Sequence, residues 1–145
     1  MLPATPVLVN YPAGAEILLR RPGVPDQPLL LLDEPILCST RHEGVQVVAT
    51  KSVLYILRDG EQDEVETMST EGAPIRLSLC GQDLYVQTKR HLSRYRLDDD
   101  SERKWQVVMP SSARIRALSA QAFTCEANGR RGVYSVETGQ LLKLS

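Results

Sequence analysis

The sequence repeats itself with a period near 40 residues. Tyr55, Tyr95 and Tyr134 follow one another at spacings of 40 and 39 residues. Two other sets have the same spacing: Ile36, Ile75 and Ile115, and Leu57, Leu97 and Val136. Short runs of β-type residues lie between these positions, and no stretch shows the 3.6-residue periodicity of a helix. The chain is therefore predicted to be an all-β repeat protein.

Each repeat is predicted to hold four short antiparallel strands, called a, b, c and d in order. In the middle repeat they are residues 75–79, 84–88, 91–97 and 105–109; in the repeat before, 36–38, 45–50, 53–57 and 65–68; in the repeat after, 115–118, 122–126, 133–136 and 141–144. Asn128-Gly129, between b and c of the last repeat, is typical of a tight hairpin turn. Runs such as 53–57 are apolar at consecutive positions, which indicates strands covered on both faces. Stacked blades of a β-propeller are therefore favoured over a two-layer sandwich.

The first 34 residues are rich in proline and fit only part of a repeat. Residues 6–10, 17–19 and 29–32 supply strands b, c and d, without room for a. We therefore predict a single β-propeller-like domain, residues 1–145, of about 3.75 blades in a small or partial ring. Its units are residues 1–34 (partial), 35–73, 74–113 and 114–145. An open ring would expose strand edges, so self-association or completion of the ring by another subunit is expected.

Residues 35–145 resemble the blades of WD40-like and quinoprotein-like β-propellers, most clearly over residues 132–142. There a c strand, an acidic-glycine turn and a d strand follow in the order that those families use. Tyr95-Arg96 and Tyr134-Ser135 stand where the Trp-Asp dipeptide of WD40 repeats would fall, and the Gly-His pair is absent. The resemblance implies the fold; the structural tetrad of WD40 repeats and quinone chemistry are not carried over to this chain.

Composition sets limits on the class of protein. The formal net charge of −1 and the pI near 6.1 do not favour nucleic acid as a partner. Without a long apolar run or a secretory signal, the chain is expected in the cytoplasm or nucleus, away from membranes. Cys38, Cys80 and Cys125 form an odd set without metal-ligand spacing, and they are predicted to be reduced core thiols.

The residues that carry chemistry do not form a catalytic or metal-binding pattern. His42 and His91 stand at non-equivalent places in their repeats, and no Gly-x-Ser-x-Gly turn is present. The alternating acids from Asp98 to Glu102 lack the glycine of a calcium loop and are interpreted as a solvated turn. We therefore expect neither an enzyme nor a cofactor. Trp105 and Phe123 are predicted to pack between blades.

Charges divide between the two ends of the predicted blades. The b–c side carries the predicted partner-binding residues: Lys51, Lys89, Arg90, Arg130 and Arg131. The c–d side carries acids: Asp59, Glu61, Asp63, Glu64, Asp98, Asp99, Asp100, Glu102 and Glu137. Basic side chains repeated at blade spacing suit an acidic or phosphorylated protein segment, although ordinary solvated turns would also be charged.

The predicted function is a non-enzymatic protein–protein interaction module, a subunit or fragment of a larger intracellular complex. A lectin-like propeller that binds a small ligand is the alternative. It would need equivalent polar and aromatic groups in every repeat, and only the repeated tyrosines qualify.

Overall fold

The computed structural model describes residues 4–59, 65–98 and 101–144, which form β-strands and connecting turns. The strands are β1 (Thr5–Tyr11), β2 (Gly14–Arg20), β3 (Gln27–Leu32), β4 (Cys38–His42), β5 (Val45–Ala49), β6 (Val53–Arg58), β7 (Glu66–Ser69), β8 (Arg76–Cys80), β9 (Asp83–Gln87), β10 (His91–Arg96), β11 (Glu102–Val108), β12 (Arg114–Leu118), β13 (Ala122–Ala127), β14 (Arg130–Ser135) and β15 (Leu141–Leu144). Within these ranges no helix is long and apolar enough to cross a bilayer.

The strands form four antiparallel sheets, each built from consecutive strands. Sheet 1 contains β1–β3, sheet 2 β4–β7, sheet 3 β8–β11 and sheet 4 β12–β15. Within each sheet, strands that follow one another in sequence pair, so each sheet is an up-and-down meander. The division into one three-stranded and three four-stranded sheets is the one that the sequence predicted, with strand a missing from the first repeat.

Two hairpins show why the chain turns where it does. Glu43 and Gly44 have φ angles of 45° and 80°, and Asn128 and Gly129 have φ angles of 52° and 77°. Two successive positive φ values give the turn whose twist matches the paired strands, and glycine and asparagine tolerate them best. The hairpin predicted at Asn128-Gly129 is confirmed.

Among the strand boundaries that differ from the prediction, the starts of strand a in sheet 2 and of strand c in sheet 4 have identifiable causes. Strand a of sheet 2 begins at Cys38 and not at Ile36. The Ile36 amide and carbonyl are instead held by the Asn10 side chain, which accepts from the N–H at 2.7 Å and donates to the oxygen at 2.9 Å. Strand c of sheet 4 begins at Arg130, three residues earlier than predicted, because the two-residue turn lets Arg130 pair with Ala127 at once.

The chain forms two compact units, Met1–Ala73 and Pro74–Ser145, called here the N-terminal and C-terminal units. The boundary coincides with the predicted limit between the second and third repeats. In the N-terminal unit, sheets 1 and 2 share an apolar core. Its fully enclosed members are Ala15, Ile17, Leu32, Val48 and Leu57.

The core of the C-terminal unit is aromatic. Phe123 is buried and stacks on Tyr134, with ring centroids 5.2 Å apart, and on Trp105, at 5.8 Å. Tyr85 leans against the rings of Phe123 and Trp105. These residues come from both sheets of the unit, so the predicted packing of Phe123 and Trp105 between sheets is confirmed.

Candidate basic interaction surface

Sheets 3 and 4 lie with corresponding ends together. At the end where strands c and d connect, Trp105 Nε1 and Arg94 Nη1 of sheet 3 donate to the Val136 carbonyl of sheet 4, at 2.8 and 3.0 Å. At the other end, Gln87 Nε2 donates to the Ala113 carbonyl, at 2.8 Å, where β12 begins. The b–c turns of both sheets therefore lie at one end of the C-terminal unit, called here the basic end.

Lys89 and Arg90 are at the basic end of sheet 3. They form the bend between β9 and β10, and both side chains are exposed. The Arg90 carbonyl accepts the Met109 amide at 2.8 Å, which fixes the backbone of the bend. Neither side chain makes an ion pair or hydrogen bond with another described residue. Two adjacent cations thus stand on a fixed backbone and face water.

Arg130 and Arg131 are at the same end of sheet 4, where they belong to a strand and not to the Asn128-Gly129 turn. They are the first residues of β14 and pair with Ala127 and Glu126 of β13. Because they belong to a strand, neighbouring side chains alternate between the two faces of the sheet. Arg131 thus lies on the same face as Glu126, and its Nη2 contacts Glu126 Oε2 at 3.2 Å.

Two further arginines of sheet 4 belong to this region, and sequence reasoning missed them. Arg114 of β12 pairs across the strand with Glu126, so Arg114, Glu126 and Arg131 form one row across three strands. Arg116 lies in the bulge of β12, where its Nε approaches Glu126 Oε2 to 3.7 Å. The alternation Arg114-Ile115-Arg116 was the available signal, because it places apolar and basic side chains in turn along a strand.

The row faces away from the core of the unit. The neighbouring residues Cys125 and Phe123 point to the core, so Glu126 and its arginines lie on the opposite face of sheet 4. Among the acidic residues that the structure describes in this unit, Glu126 alone lies at the basic end. We define the basic surface by six exposed cations at this end: Lys89, Arg90, Arg114, Arg116, Arg130 and Arg131.

Lys51 belongs to the N-terminal unit, where it lies in the turn between β5 and β6. Its Nζ lies 3.7 Å from Glu34 Oε2, and the Thr50 hydroxyl donates to Glu34 Oε1 at 2.8 Å. Hydrogen bonds from Ser52 and Thr50, followed by the charge of Lys51, lower the pKa of Glu34. Lys89, Arg90, Arg130 and Arg131 share one end of the C-terminal unit, and the partner-binding role of these four residues and Lys51 stays a prediction.

Acidic groups lie at the opposite end of the C-terminal unit. Asp83 and Arg94 form an ion pair at 2.8 Å with side chains only 12% and 13% exposed. Arg96 reaches both Asp83 and Asp98, and hydrogen bonds to Asp98 and then Asp83 raise its pKa. Glu102 and Glu137 are also at this end. Of the predicted acidic side, Glu61, Asp63, Glu64, Asp99 and Asp100 lie outside the described residues.

Other candidate groups do not form a site in the described part of the chain. No three His, Cys, Asp or Glu side chains among these residues come close enough to hold a metal ion. All three cysteines are thiols, but only Cys125 is fully buried, whereas Cys38 and Cys80 are half-buried. The prediction of core thiols therefore holds for Cys125, and burial raises its pKa to about 11.

The repeated tyrosines do not present equivalent groups to solvent. Tyr55 packs against the core of the N-terminal unit, and Tyr134 packs against that of the C-terminal unit. Tyr95 is only 8% exposed. The repeat thus reflects packing of strand c.

Comparisons with known proteins give structural matches only. No family model matches the sequence, and no curated protein does either. The complex of KlAtg21 with the coiled coil of AgAtg16 matches with a TM-score of 0.67 and 14% identity, over 90% of this chain and 49% of that chain. The computationally designed Ika8 protein matches with a TM-score of 0.62 and 14% identity, over 95% of this chain and 48% of that one.

The N-terminal domain of Nup159 is also similar, with a TM-score of 0.58 and 14% identity over 94% of this chain and 39% of that chain. This chain thus spans about half the length, or less, of these three structures. Among the matches are β-propellers, and the meander sheets of this chain fit the blades of such a fold. The chain has the fold of a partial β-propeller, as its repeats predicted.

Proposed function

We propose that this chain is a non-enzymatic protein-interaction module that binds an acidic or phosphorylated segment of a partner protein through the basic surface. The observation that carries the proposal is that corresponding ends of sheets 3 and 4 lie together, which brings six exposed cations to one end of the C-terminal unit. Lys89 and Arg90 are exposed there on a hydrogen-bonded bend. A fixed backbone lowers the ordering cost of binding, because only the side chains must be immobilised when an anionic partner binds.

The chemistry of these cations favours carboxylate or phosphate oxygens. Five of the six are arginines, whose planar guanidinium offers parallel N–H donors to two oxygens at once. Arg114 and Arg131 flank a single carboxylate, that of Glu126, so the row keeps a net positive charge. An extended acidic segment supplies carboxylates at regular spacing, and a phosphorylated one supplies a denser charge.

We also propose that the chain works as a subunit or fragment of a larger intracellular complex, in the cytoplasm or nucleus. Support comes from its length, because it spans only part of the propeller structures that it matches. One of these, KlAtg21, is a propeller-like chain in complex with another protein's coiled coil. Purification from native extract would show a particle heavier than 16.1 kDa, whereas a stable, dispersed monomer would contradict self-association.

Charge reversal tests the basic surface. The probes are three fluorescent decapeptides: a glutamate-rich peptide, a serine-rich peptide and its phosphoserine form. The wild-type chain should bind the acidic and phosphorylated peptides, more weakly as salt rises from 50 to 200 mM. The double variant Lys89→Glu/Arg90→Glu should bind at least about tenfold more weakly, because two attractive charges become repulsive. Adding Arg130→Glu and Arg131→Glu should remove the remaining binding.

The matched control is Arg103→Glu/Lys104→Glu on β11, which changes the net charge equally but away from the basic surface. It should bind the peptides nearly as the wild type does, and circular dichroism should show that all variants keep their β structure. Equal losses in both double variants would refute a localised site. Unchanged affinity in the Lys89/Arg90 variant would refute the proposed surface.

The lectin-like alternative gains no support from the described residues, because Tyr55, Tyr95 and Tyr134 serve as packing groups. A glycan array tests it directly: a specific hit would favour small-ligand binding over the module proposed here.

A further inference from the structure

Sheet 1 has an unpaired edge at β1. β1 pairs with β2 along its whole length, from Thr5 with Arg20 to Tyr11 with Gly14, and no described strand pairs with its other side. The corresponding b strands of the other sheets, β5, β9 and β13, are each paired on both sides. Sheet 1 therefore lacks the strand that β4, β8 and β12 supply in sheets 2 to 4.

The backbone groups that face this edge can be assigned. Tyr11 and Gly14 close a two-residue hairpin, so they exchange hydrogen bonds with each other. Antiparallel pairing alternates, which directs Thr5, Val7, Val9 and Tyr11 toward β2. Pro6, Leu8 and Asn10 then face the edge. Pro6 fits this assignment, because a proline nitrogen has no proton to donate and is tolerated where no neighbouring strand requires one.

The edge thus offers two N–H donors, from Leu8 and Asn10, and three carbonyl acceptors, from Pro6, Leu8 and Asn10. Such a row of groups at the spacing of a strand is matched by one kind of ligand, another extended backbone. The Asn10 side chain is already engaged with Ile36, so it does not compete for its own backbone groups.

The side chains beside the edge set the composition of that ligand. Leu8 pairs with the fully buried Ile17 and packs against the core of the N-terminal unit. A residue added opposite Leu8 would point to the same side, next to this core. In sheet 4 the equivalent strand, β12, sends Ile115 and Leu118 to the core of its unit. The added strand thus needs apolar side chains on one face.

We propose that the β1 edge binds an extended segment of a partner protein that adds to sheet 1 as its fourth strand. The segment runs antiparallel to β1 and is about five residues long, like β4, β8 and β12. Every second residue of the bound segment is apolar and points to the same side of the sheet as Leu8. This site uses residues of the N-terminal unit and none of the cations that define the basic surface.

Peptide selection followed by backbone methylation tests the proposal. Random decapeptides are displayed and selected on the whole chain, and the best binders are synthesised with N-methyl groups at one or the other set of alternate residues. We expect one set to lower affinity at least about tenfold, by removing the N–H groups that reach β1, and the other set to be tolerated. Hydrogen exchange should slow at the Leu8 and Asn10 amides when peptide binds.

Several outcomes would overturn the proposal. These are a failure to select binders, equal effects of both methylation sets, and unchanged exchange at Leu8 and Asn10. Protection of these amides in a concentration-dependent dimer without peptide would assign the edge to a second copy of the chain instead. The Lys89→Glu/Arg90→Glu variant should keep its affinity for the selected peptides, so failure here and failure of the basic surface can be distinguished.

Discussion

The indole ring of Trp105 occupies the space where residue 139 would carry a side chain. A Cβ built on Gly139 would lie 2.6 Å from Trp105 Cε3. Gly139 also has a φ of +75°, which side-chain-bearing residues rarely adopt. The same indole donates from Nε1 to the Val136 carbonyl at 2.8 Å. A ring from sheet 3 thus covers the c–d turn of sheet 4.

Gly139→Ala should destabilise the protein by about 3 kcal/mol, because the added methyl group must displace the indole as well as adopt a left-handed backbone. Gly129→Ala is the matched control: its φ is +77°, but nothing lies within 4 Å of the added Cβ. Gly129→Ala should lower the free energy of unfolding by only about 1 kcal/mol, because it introduces backbone strain alone. Urea denaturation measures both, and equal losses would show that the contact with Trp105 does not matter.

Asp83→Ala should cost about 3 kcal/mol, because it leaves the nearly buried Arg94 guanidinium without its carboxylate. Asp98→Ala removes a carboxylate that is 48% exposed and should cost less than about 1 kcal/mol. A double-mutant cycle with Arg94→Met separates the pair interaction from packing. The interpretation fails if the two aspartate variants unfold at the same urea concentration.

The Tyr85→Phe variant should lose less stability than the wild type at alkaline pH. The Tyr85 hydroxyl is buried without a hydrogen-bond partner among the described residues, and burial followed by the charge of Asp83 raises its pKa to about 12. A raised pKa gives stability that is complete below pH 10, the ordinary value, and is lost as pH rises to about 12. This contribution is about 2 to 3 kcal/mol.

At neutral pH the Tyr85→Phe variant should be at least as stable as the wild type. Its free energy of unfolding should fall less than that of the wild type between pH 10 and 12. Tyr11→Phe, at an exposed position, should retain the alkaline loss due to Tyr85. Denaturation curves at several pH values measure the difference. Parallel pH profiles for wild type and Tyr85→Phe would contradict the assignment.

Cys125 should resist alkylation in the folded protein. Burial raises the pKa of its thiol to about 11, so little thiolate exists at pH 8. Iodoacetamide labelling followed by mass spectrometry should modify the half-buried Cys80 first and Cys125 only in urea. Modification of Cys125 at the rate of Cys80 would show that its surroundings open readily.

The sequence predicted the strands better than it predicted their contacts. The recurring Tyr and Ile positions indicate strands because equivalent positions pack in the same way in each repeat. Asn128-Gly129 indicates a turn because of its local backbone preference. Neither signal depends on distant residues. Strand a of sheet 2 was placed too early because its start depends on Asn10, 26 residues before Ile36.

Only part of the basic surface could be predicted from the sequence, for the same reason. Lys89, Arg90, Arg130 and Arg131 stand out as adjacent cations in the sequence. The row that joins Arg114 and Arg131 through Glu126 arises from the register of three strands, which residue spacing alone does not reveal. The burial of Asp83 beside Arg94 is likewise a consequence of pairing between β9 and β10.

Because every sheet is assembled from consecutive strands, the contacts within it join residues close in sequence. Such local contacts form without closing long loops, and this favours rapid folding. During synthesis each sheet can hydrogen-bond as soon as its own residues have left the ribosome, before the next sheet is translated. The meander therefore lets the polypeptide acquire its architecture in the order in which it is made.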